Sequence, residues 1–130
     1  DVAHNPHAAA VLAQNLDNLG YHPYTYAVFG MLSDKDLAGV VAKLGNRIDH
    51  WYCAGLPGPR GMSGEALAER VRAALPATPA GGEVPGVQAC QDPTAAYAAA
   101  RERAGENDRI LVFGSFLTVS AVMQALGRST

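Results

Sequence analysis

This sequence lacks a large excess of either positive or negative charge. Its 130 residues include ten lysines and arginines and twelve aspartates and glutamates. A surface without a strong net field disfavours nucleic acid and anionic membranes as partners. Long apolar runs are missing too, since no segment reaches the roughly 18 apolar residues needed to span a bilayer. The first residues also lack the basic start and apolar core of a signal peptide. These absences favour a protein of the cytoplasm.

Cysteine is scarce, and neither Cys53 nor Cys90 belongs to a C-x-x-C motif. Both lie in apolar segments that predict strands, where a free thiol usually behaves as a small hydrophobic side chain. Two isolated thiols are typical of a reducing compartment. The histidines and acidic residues show no spacing of metal ligands, so we expect no metal site built by this chain.

Two catalytic motifs are absent as well. The sequence contains no G-x-x-x-x-G-K-[ST], so it has no Walker A loop with which to hold a triphosphate. It contains no G-x-S-x-G nucleophile elbow of the hydrolase type. The sequence opens on Asp1 without an initiator methionine, which we interpret as a boundary within a longer polypeptide.

What is present is an alternation of strand-like and helical segments. It predicts one α/β domain over residues 1–130, with a Rossmann-like, mainly parallel sheet of four or five strands and helices on both faces. Aromatic and β-branched runs predict strands at 24–29, 48–54, 87–90 and 109–113. Cap residues and apolar spacing predict helices beginning near Asn5, Ser33, Ser63 and Asp92, and a last helix with Val119, Val122, Met123 and Leu126 on one face. Asp34 and Asp36 are expected in the first turn after Ser33, and Gly105 is expected to end the helix that begins at Asp92.

The first candidate for chemistry is the segment D-V-A-H-N-P-H at residues 1–7, which leads into a predicted helix. Amide groups at a helix N-terminus attract anions, so His4 could meet a phosphate and Asp1 a ribose hydroxyl. On spacing alone, an ordinary loop and helix cap is the better interpretation of these residues, because aspartate, histidine and asparagine are common before a proline.

Three further candidates follow predicted strands, at the sheet edge where open α/β folds bind ligands. Lys35 could hold a substrate carboxylate, although the neighbouring Asp34 and Asp36 could simply neutralise it. Ser115 could bind a carboxylate together with nearby amides, or Ser115 or Thr118 could cap the last helix. Arg60, in a loop rich in glycine and proline, could meet an anionic substrate or remain solvated.

Five strings in register carry a resemblance to a known family: D-V-A-H-N-P-H-A-A at 1–9, G-M-L-S-D-K-D at 30–36, W-Y-C-A at 51–54, G-P-R-G at 58–61 and L-V-F-G-S-F at 111–116. Together they resemble the bacterial bifunctional folylpolyglutamate synthases/dihydrofolate synthases over nearly the whole chain. The Asp-x-x-His-x-Pro element is similar to one shared with the Mur ligases, whose C-terminal domain type would be the fold.

The resemblance implies an ATP-dependent carboxylate–amine ligase that joins L-glutamate to dihydropteroate or tetrahydrofolate through an acyl phosphate. ATP and Mg²⁺ would be bound mainly by an N-terminal ATPase domain absent from this chain, so the chain by itself would be inactive. Carried over by position, Asp1 and His4 would approach the nucleotide, and His4 would be the catalytic candidate. Lys35 and Ser115 would face the glutamate carboxylates, with Arg60 as a weaker candidate.

The chain departs from the family at Leu117, where the resemblance leads us to expect histidine after G-S-F. Two other interpretations stay open. One is a free-standing Rossmann-like module that binds a small anion without chemistry. The other is the domain of a Mur-type ligase that adds a different amino acid, which G-M-L-S-D-K-D disfavours.

Overall fold

The computed structural model describes residues 14, 24–32, 36–44, 47–58, 61–75, 86–105, 108–114, 118–119 and 121–123. Its elements in chain order are β1 (Thr25–Phe29), α1 (Leu37–Leu44), β2 (His50–Ala54), α2 (Gly64–Ala74), β3 (Gly86–Cys90), α3 (Pro93–Arg103) and β4 (Arg109–Phe113). Residues 118–119 and 121–123 are also helical. The four predicted strands are confirmed, with ends that differ slightly from the expected ones. The helix expected from Asn5 lies outside the described residues, apart from the helical Gln14.

The described strands form one parallel sheet in the order β3-β2-β1-β4. All five residues of β1 are buried, because this strand has a neighbour on each side and helices cover its faces. The chain moves outward from β1 to β2 and β3 and then returns to place β4 on the other side of β1. The strand order therefore reverses between β1 and β4, which is the place where open parallel sheets bind ligands.

Alternate residues of each strand enter two separate cores, as the period of a strand requires. Ala27 and Phe29 face a core that α1 and α2 cover, whereas Tyr26 and Val28 face a core that α3 covers. The predicted α/β architecture with helices on both faces is confirmed. No helix within the described part of the chain is long and apolar enough to cross a membrane.

Three aromatic rings fill the centre of the first core. Phe29 lies 5.3 Å from Trp51 and 5.1 Å from Phe113, and Trp51 lies 6.0 Å from Phe113, measured between ring centroids. The indole of Trp51 is fully buried, and its Nε1 has no hydrogen-bond partner. These rings join β1, β2 and β4 beneath the carboxyl edge of the sheet.

Helix α1 begins later than the sequence predicts. Asp36 precedes the helix, and its Oδ1 accepts a hydrogen bond of 3.1 Å from the amide of Gly39, which is the contact of an N-cap. The expectation that Ser33 caps this helix and that Asp36 lies in its first turn is therefore wrong. Aspartate is as good a cap as serine, so the cap-type residue next to the apolar face takes the role. Ser33 and Asp34 lie outside the described residues.

The other two predicted caps are confirmed. The Ser63 hydroxyl accepts from the amide of Ala66 at 3.1 Å, and the Asp92 carboxylate accepts from the amide of Ala95 at 2.8 Å. Pro93 follows Asp92 at the start of α3, where its missing N–H costs nothing.

The ends of two helical segments differ from expectation. Helix α3 ends at Arg103 with Ala104 as an extended C-cap, and Gly105 is not in the left-handed region. Its amide donates to Asp108 Oδ2 at 2.8 Å instead of turning back to a helix carbonyl. In the last helical segment Val122 is buried as predicted, but Met123 is 66% exposed and does not belong to the buried face.

The two thiols lie on opposite faces of the sheet. Cys53 belongs to the core under α1 and α2, whereas Cys90 packs against the core under α3. Both are free cysteines, which confirms that they serve as small core side chains. Burial, with a smaller contribution from Cys90, raises the pKa of Cys53 to about 12. Burial and then the Asp92 carboxylate raise the pKa of Cys90.

The pKa of Cys53 predicts a loss of stability in alkaline solution. An unfolded cysteine ionises near pH ~8.5, whereas the folded thiol stays protonated until about pH 12. The folded state therefore binds the extra proton in this window, and the free energy of unfolding should fall as the pH rises through it. Urea denaturation at pH values below and above about 8.5 measures how the free energy of unfolding changes with pH. Cys53→Ala should have a shallower slope, and equal slopes would contradict the prediction.

Candidate functional site

The carboxyl ends of β1 and β4 meet at Gly30. The Gly30 amide donates to the Phe113 carbonyl at 3.3 Å, and the Gly30 carbonyl accepts from the Thr118 hydroxyl at 3.1 Å. Gly114 follows β4 with a φ of 110°, a conformation that favours glycine. The crevice at the reversal of strand order is thus built around Gly30, the residue that follows β1, and the loop that follows β4.

Gly30 is also in contact with the loop that follows β2. A Cβ built on Gly30 would lie 2.3 Å from Thr118 Oγ1, 3.4 Å from Leu56 Cδ2 and 3.5 Å from the Ala54 carbonyl oxygen. A side chain at position 30 would therefore collide with the Thr118 hydroxyl. The absence of a side chain lets the loops after β1, β2 and β4 approach one another closely at this edge.

The predicted substrate-binding residues lie outside the described residues, but their neighbours in the chain are described. Ser115 directly follows Gly114, and Lys35 directly precedes the cap residue Asp36. Both neighbours lie beyond the carboxyl ends of their strands. The structure thus places Asp36 and Gly114, the described neighbours of these two residues, at the same edge of the sheet.

Arg60 also lies outside the described residues, within a loop whose two ends are fixed. The amide of Leu56 donates to the carbonyl of Met62 at 2.9 Å, and that of Gly61 donates to the carbonyl of Gly58 at 3.0 Å. These contacts close the loop just beyond β2. The prediction that this loop lies at the carboxyl edge is confirmed by its described residues.

Asp1 and His4 belong to a segment that lies outside the described residues altogether. The structure therefore neither joins them to the crevice nor separates them from it. Their assignment to a nucleotide stays a prediction from the sequence.

Three helix N-termini lie at this edge of the sheet, and carboxylates already cap two of them. Helices α1, α2 and α3 each follow a strand of the parallel sheet, so their N-termini, with positive ends of the helix dipoles, lie at the carboxyl edge. The neutral hydroxyl of Ser63 caps α2, whereas Asp36 and Asp92 cap the other two. The Asp36 carboxylate accepts a hydrogen bond from the Gly39 amide, so it caps helix α1. Its role is therefore more than that of a counter-charge for Lys35.

A metal site is not formed by the part of the chain that the structure describes. No three histidine, cysteine, aspartate or glutamate side chains among those residues come together in a way that could hold an ion.

Sequence reasoning missed the roles of Gly30 and Thr118. Thr118 lies in a helical segment and is fully buried, and its hydroxyl bonds to a carbonyl 88 positions away in the chain. The interpretation of Thr118 as a helix cap does not account for that contact. The only signal in the sequence is that a glycine directly follows each of two predicted strands, Gly30 after 24–29 and Gly114 after 109–113. A glycine at the end of a strand indicates close approach of another part of the backbone, but it does not identify the partner.

Comparison with known proteins gives a consistent result. Residues 1–116 match the family described as Mur ligase, glutamate ligase domain. The chain is 42% identical over 127 residues to the dihydrofolate synthase/folylpolyglutamate synthase of Escherichia coli (strain K12), a match that covers 97% of this chain and 27% of that protein. The protein of the same name from Haemophilus influenzae is 40% identical over 124 residues, covering 92% of this chain and 26% of its own length.

Solved structures agree with these relatives. E. coli FolC in complex with DHPP and ADP has a TM-score of 0.86 at 39% identity, covering 100% of this chain and 28% of its own. A bifunctional folylpolyglutamate synthase/dihydrofolate synthase with Mn, AMPPNP and L-glutamate bound has a TM-score of 0.81 at 44% identity, covering 98% of this chain and 28% of its own. The chain thus spans about a quarter of the length of the proteins that it matches.

Proposed function

Because the chain belongs to the family of Mur ligase glutamate ligase domains, we propose that it works within a longer ATP-dependent ligase that joins L-glutamate to dihydropteroate and to folates. The observation that carries this proposal is the match to dihydrofolate synthases/folylpolyglutamate synthases along 97% of the chain, including the segments that meet at the crevice. The relatives are several times longer than this chain, which leaves room in them for an ATP-binding domain.

In the proposed reaction, ATP transfers its terminal phosphoryl group to the carboxylate of the pterin substrate and leaves as ADP. The amine of glutamate then attacks the acyl carbon of this acyl phosphate, forms the amide bond and expels phosphate, with loss of a proton from the nitrogen. Magnesium would neutralise charge on the phosphates. Since this chain has no Walker A loop, ATP and magnesium would be held mainly by the other domain.

The contribution of this chain is to bind and orient the incoming amino acid. Lys35 and Ser115 are proposed to hold the glutamate carboxylates, so that the amine faces the acyl phosphate. Their flanking residues lie at the edge that holds the helix N-termini, of which that of α2 has the neutral cap Ser63 and can attract an anion. Arg60 is a third candidate at the same edge. Asp1 and His4 are proposed to approach the ribose and phosphates of the nucleotide, with His4 also near glutamate.

The direct test is ligation by the full-length protein. With dihydropteroate, L-glutamate, ATP and magnesium, we expect dihydrofolate, ADP and phosphate in equal amounts, and with tetrahydrofolate we expect glutamylated folate. The 130-residue chain alone should give no product in the same assay, because it lacks the Walker A loop.

Other outcomes would favour other functions. Incorporation of a different amino acid in place of glutamate would indicate a Mur-type ligase. Absence of any ATP-dependent product from the full-length protein, together with binding of small anions by this chain, would indicate a binding module. We further propose a cytoplasmic location, which the two free thiols on opposite faces of the sheet support.

A further inference from the structure

Strand β3 lies at one end of the described sheet, where β2 is its only neighbour in the order β3-β2-β1-β4. Solvent reaches this strand, since Gln88 is exposed and the other residues of β3 are half-buried. All residues of the central strand β1 are buried by comparison. An open strand edge of this kind presents backbone groups with which a strand of another molecule can pair.

The direction of the backbone groups along β3 follows from its pairing with β2. At the start of the strand the Gly86 amide donates to the Asp49 carbonyl at 3.0 Å, and at its end the Cys90 carbonyl accepts from the Gly55 amide at 3.2 Å. In a parallel pair, alternate residues of a strand bond to the same neighbour. The even-numbered residues of β3 therefore use their backbone groups within the sheet, and the odd-numbered residues direct theirs outward.

Val87 and Ala89 are the two residues that face outward in this way. The strand itself lacks the usual protection of an edge, because its sequence G-V-Q-A-C contains neither a charged residue nor proline. Helix α2 supplies a charged group instead. Arg72 is exposed in the last turn of α2, and its Nη2 donates to the Val87 carbonyl at 3.0 Å. A guanidinium group therefore occupies an outward carbonyl of the edge.

Without Arg72, the edge would match a second copy of itself. If two β3 strands lay antiparallel about a two-fold axis at Gln88, Val87 of each copy would oppose Ala89 of the other, and their outward amides and carbonyls would exchange hydrogen bonds. Gln88 would meet its own symmetry mate without repulsion between charges. Arg72 disfavours this arrangement because it occupies the Val87 carbonyl and brings a positive charge from each copy toward the axis.

We propose that Arg72 prevents this protein from pairing with a second copy of itself through the outer edge of β3. The guanidinium group covers an edge that the sequence of the strand leaves unprotected. This role does not depend on the reaction that the full-length protein catalyses, because the outer edge of β3 lies on the far side of β2 from the crevice between β1 and β4.

The test compares Arg72→Ala with Arg70→Ala in the full-length protein. Both arginines are exposed on α2 and both variants lose one positive charge, but Arg70 donates to the Met62 sulfur at 3.2 Å and not to the edge of β3. Sedimentation velocity over a range of concentrations measures self-association. We expect the dissociation constant of the dimer to fall about tenfold or more in Arg72→Ala, because each added hydrogen bond across the edge strengthens association several-fold. Arg70→Ala should behave as the original protein does.

A second substitution identifies the surface through which the copies associate. Gln88→Lys, added to Arg72→Ala, would place like charges opposite each other at the two-fold axis, and lysine is a common protector of strand edges. The double variant should return to the dissociation constant of the original protein. No change in Arg72→Ala, an equal change in Arg70→Ala, or persistent association of the double variant would each overturn the proposal.

Hydrogen exchange examines the same edge in the original protein. The Ala89 amide faces outward and should exchange fast, whereas the Gln88 amide faces β2 and should be protected. Equal protection of the two amides would show that the edge is already covered, which would overturn the proposal even if Arg72→Ala failed to fold. In a folded Arg72→Ala variant, the Ala89 amide should become protected as the protein concentration rises.

Discussion

Gly64→Ala should destabilise the domain severely. A Cβ built on Gly64 would lie 2.1 Å from the Cys90 carbonyl oxygen, 2.8 Å from the Cys53 carbonyl oxygen and 2.9 Å from the Cys90 nitrogen. These are backbone atoms of paired strands, so no side chain can rotate away to make room. Helix α2 would have to move off the sheet and expose Leu67 and Val71, which are fully buried. We expect a loss of about 3 kcal/mol or more in the free energy of unfolding.

Urea denaturation followed by circular dichroism measures this loss. Gly105→Ala is the matched control, because a Cβ there would lie no closer than 3.4 Å to Asp108 Oδ2 and the backbone is not in the left-handed region. The control should change the free energy of unfolding by no more than about 1 kcal/mol. Similar losses in both variants would show that the close packing of Gly64 against the sheet is not the cause.

Lys35→Ala should weaken the use of glutamate by one to two orders of magnitude in the full-length protein. A charge-assisted hydrogen bond to a carboxylate contributes roughly 1.5–3 kcal/mol, which corresponds to about 10- to 150-fold in affinity. Ser115→Ala should have a smaller effect, because a neutral hydroxyl bonds more weakly. KM for ATP should change little, since Lys35 is proposed to contact the amino acid and not the nucleotide.

Lys43→Ala provides the control for the loss of a positive charge. Lys43 is the other lysine of the chain, and it is exposed in the last turn of α1, away from the carboxyl edge. Steady-state kinetics should show normal glutamate dependence for this variant. If Lys35→Ala also left glutamate dependence unchanged, neutralisation by Asp34 and Asp36 would be the correct interpretation. Asp1→Ala and His4→Ala should instead impair ATP use or turnover.

Elements whose cause is local could be predicted from the sequence. The strands follow from runs of aromatic and β-branched residues, and Ser63 and Asp92 each cap a helix whose apolar face lies just beyond them. The start of α1 was harder because Ser33, Asp34 and Asp36 are all cap-type residues within a short segment. The apolar pattern does not determine which of them caps, and the structure assigns the contact to Asp36.

Contacts between distant parts of the chain could not be predicted in this way. The bond from Thr118 to Gly30 depends on β4 pairing beside β1, and no periodicity reveals the order of strands in a sheet. The predicted site was only partly accessible to sequence reasoning. The edge of the sheet was predictable from the carboxyl ends of parallel strands, whereas the roles of Lys35, Ser115, Arg60, Asp1 and His4 stay predictions because they depend on side chains outside the described residues.

The buried Trp51 gives this domain an optical reporter of its own. It is the one tryptophan in the sequence, so the emission of the domain comes from a single indole, enclosed by Phe29 and Phe113. Phe113 is the last residue of β4, directly before the segment that carries Ser115. Emission at short wavelength, typical of an indole shielded from water, would therefore follow the packing beneath the crevice.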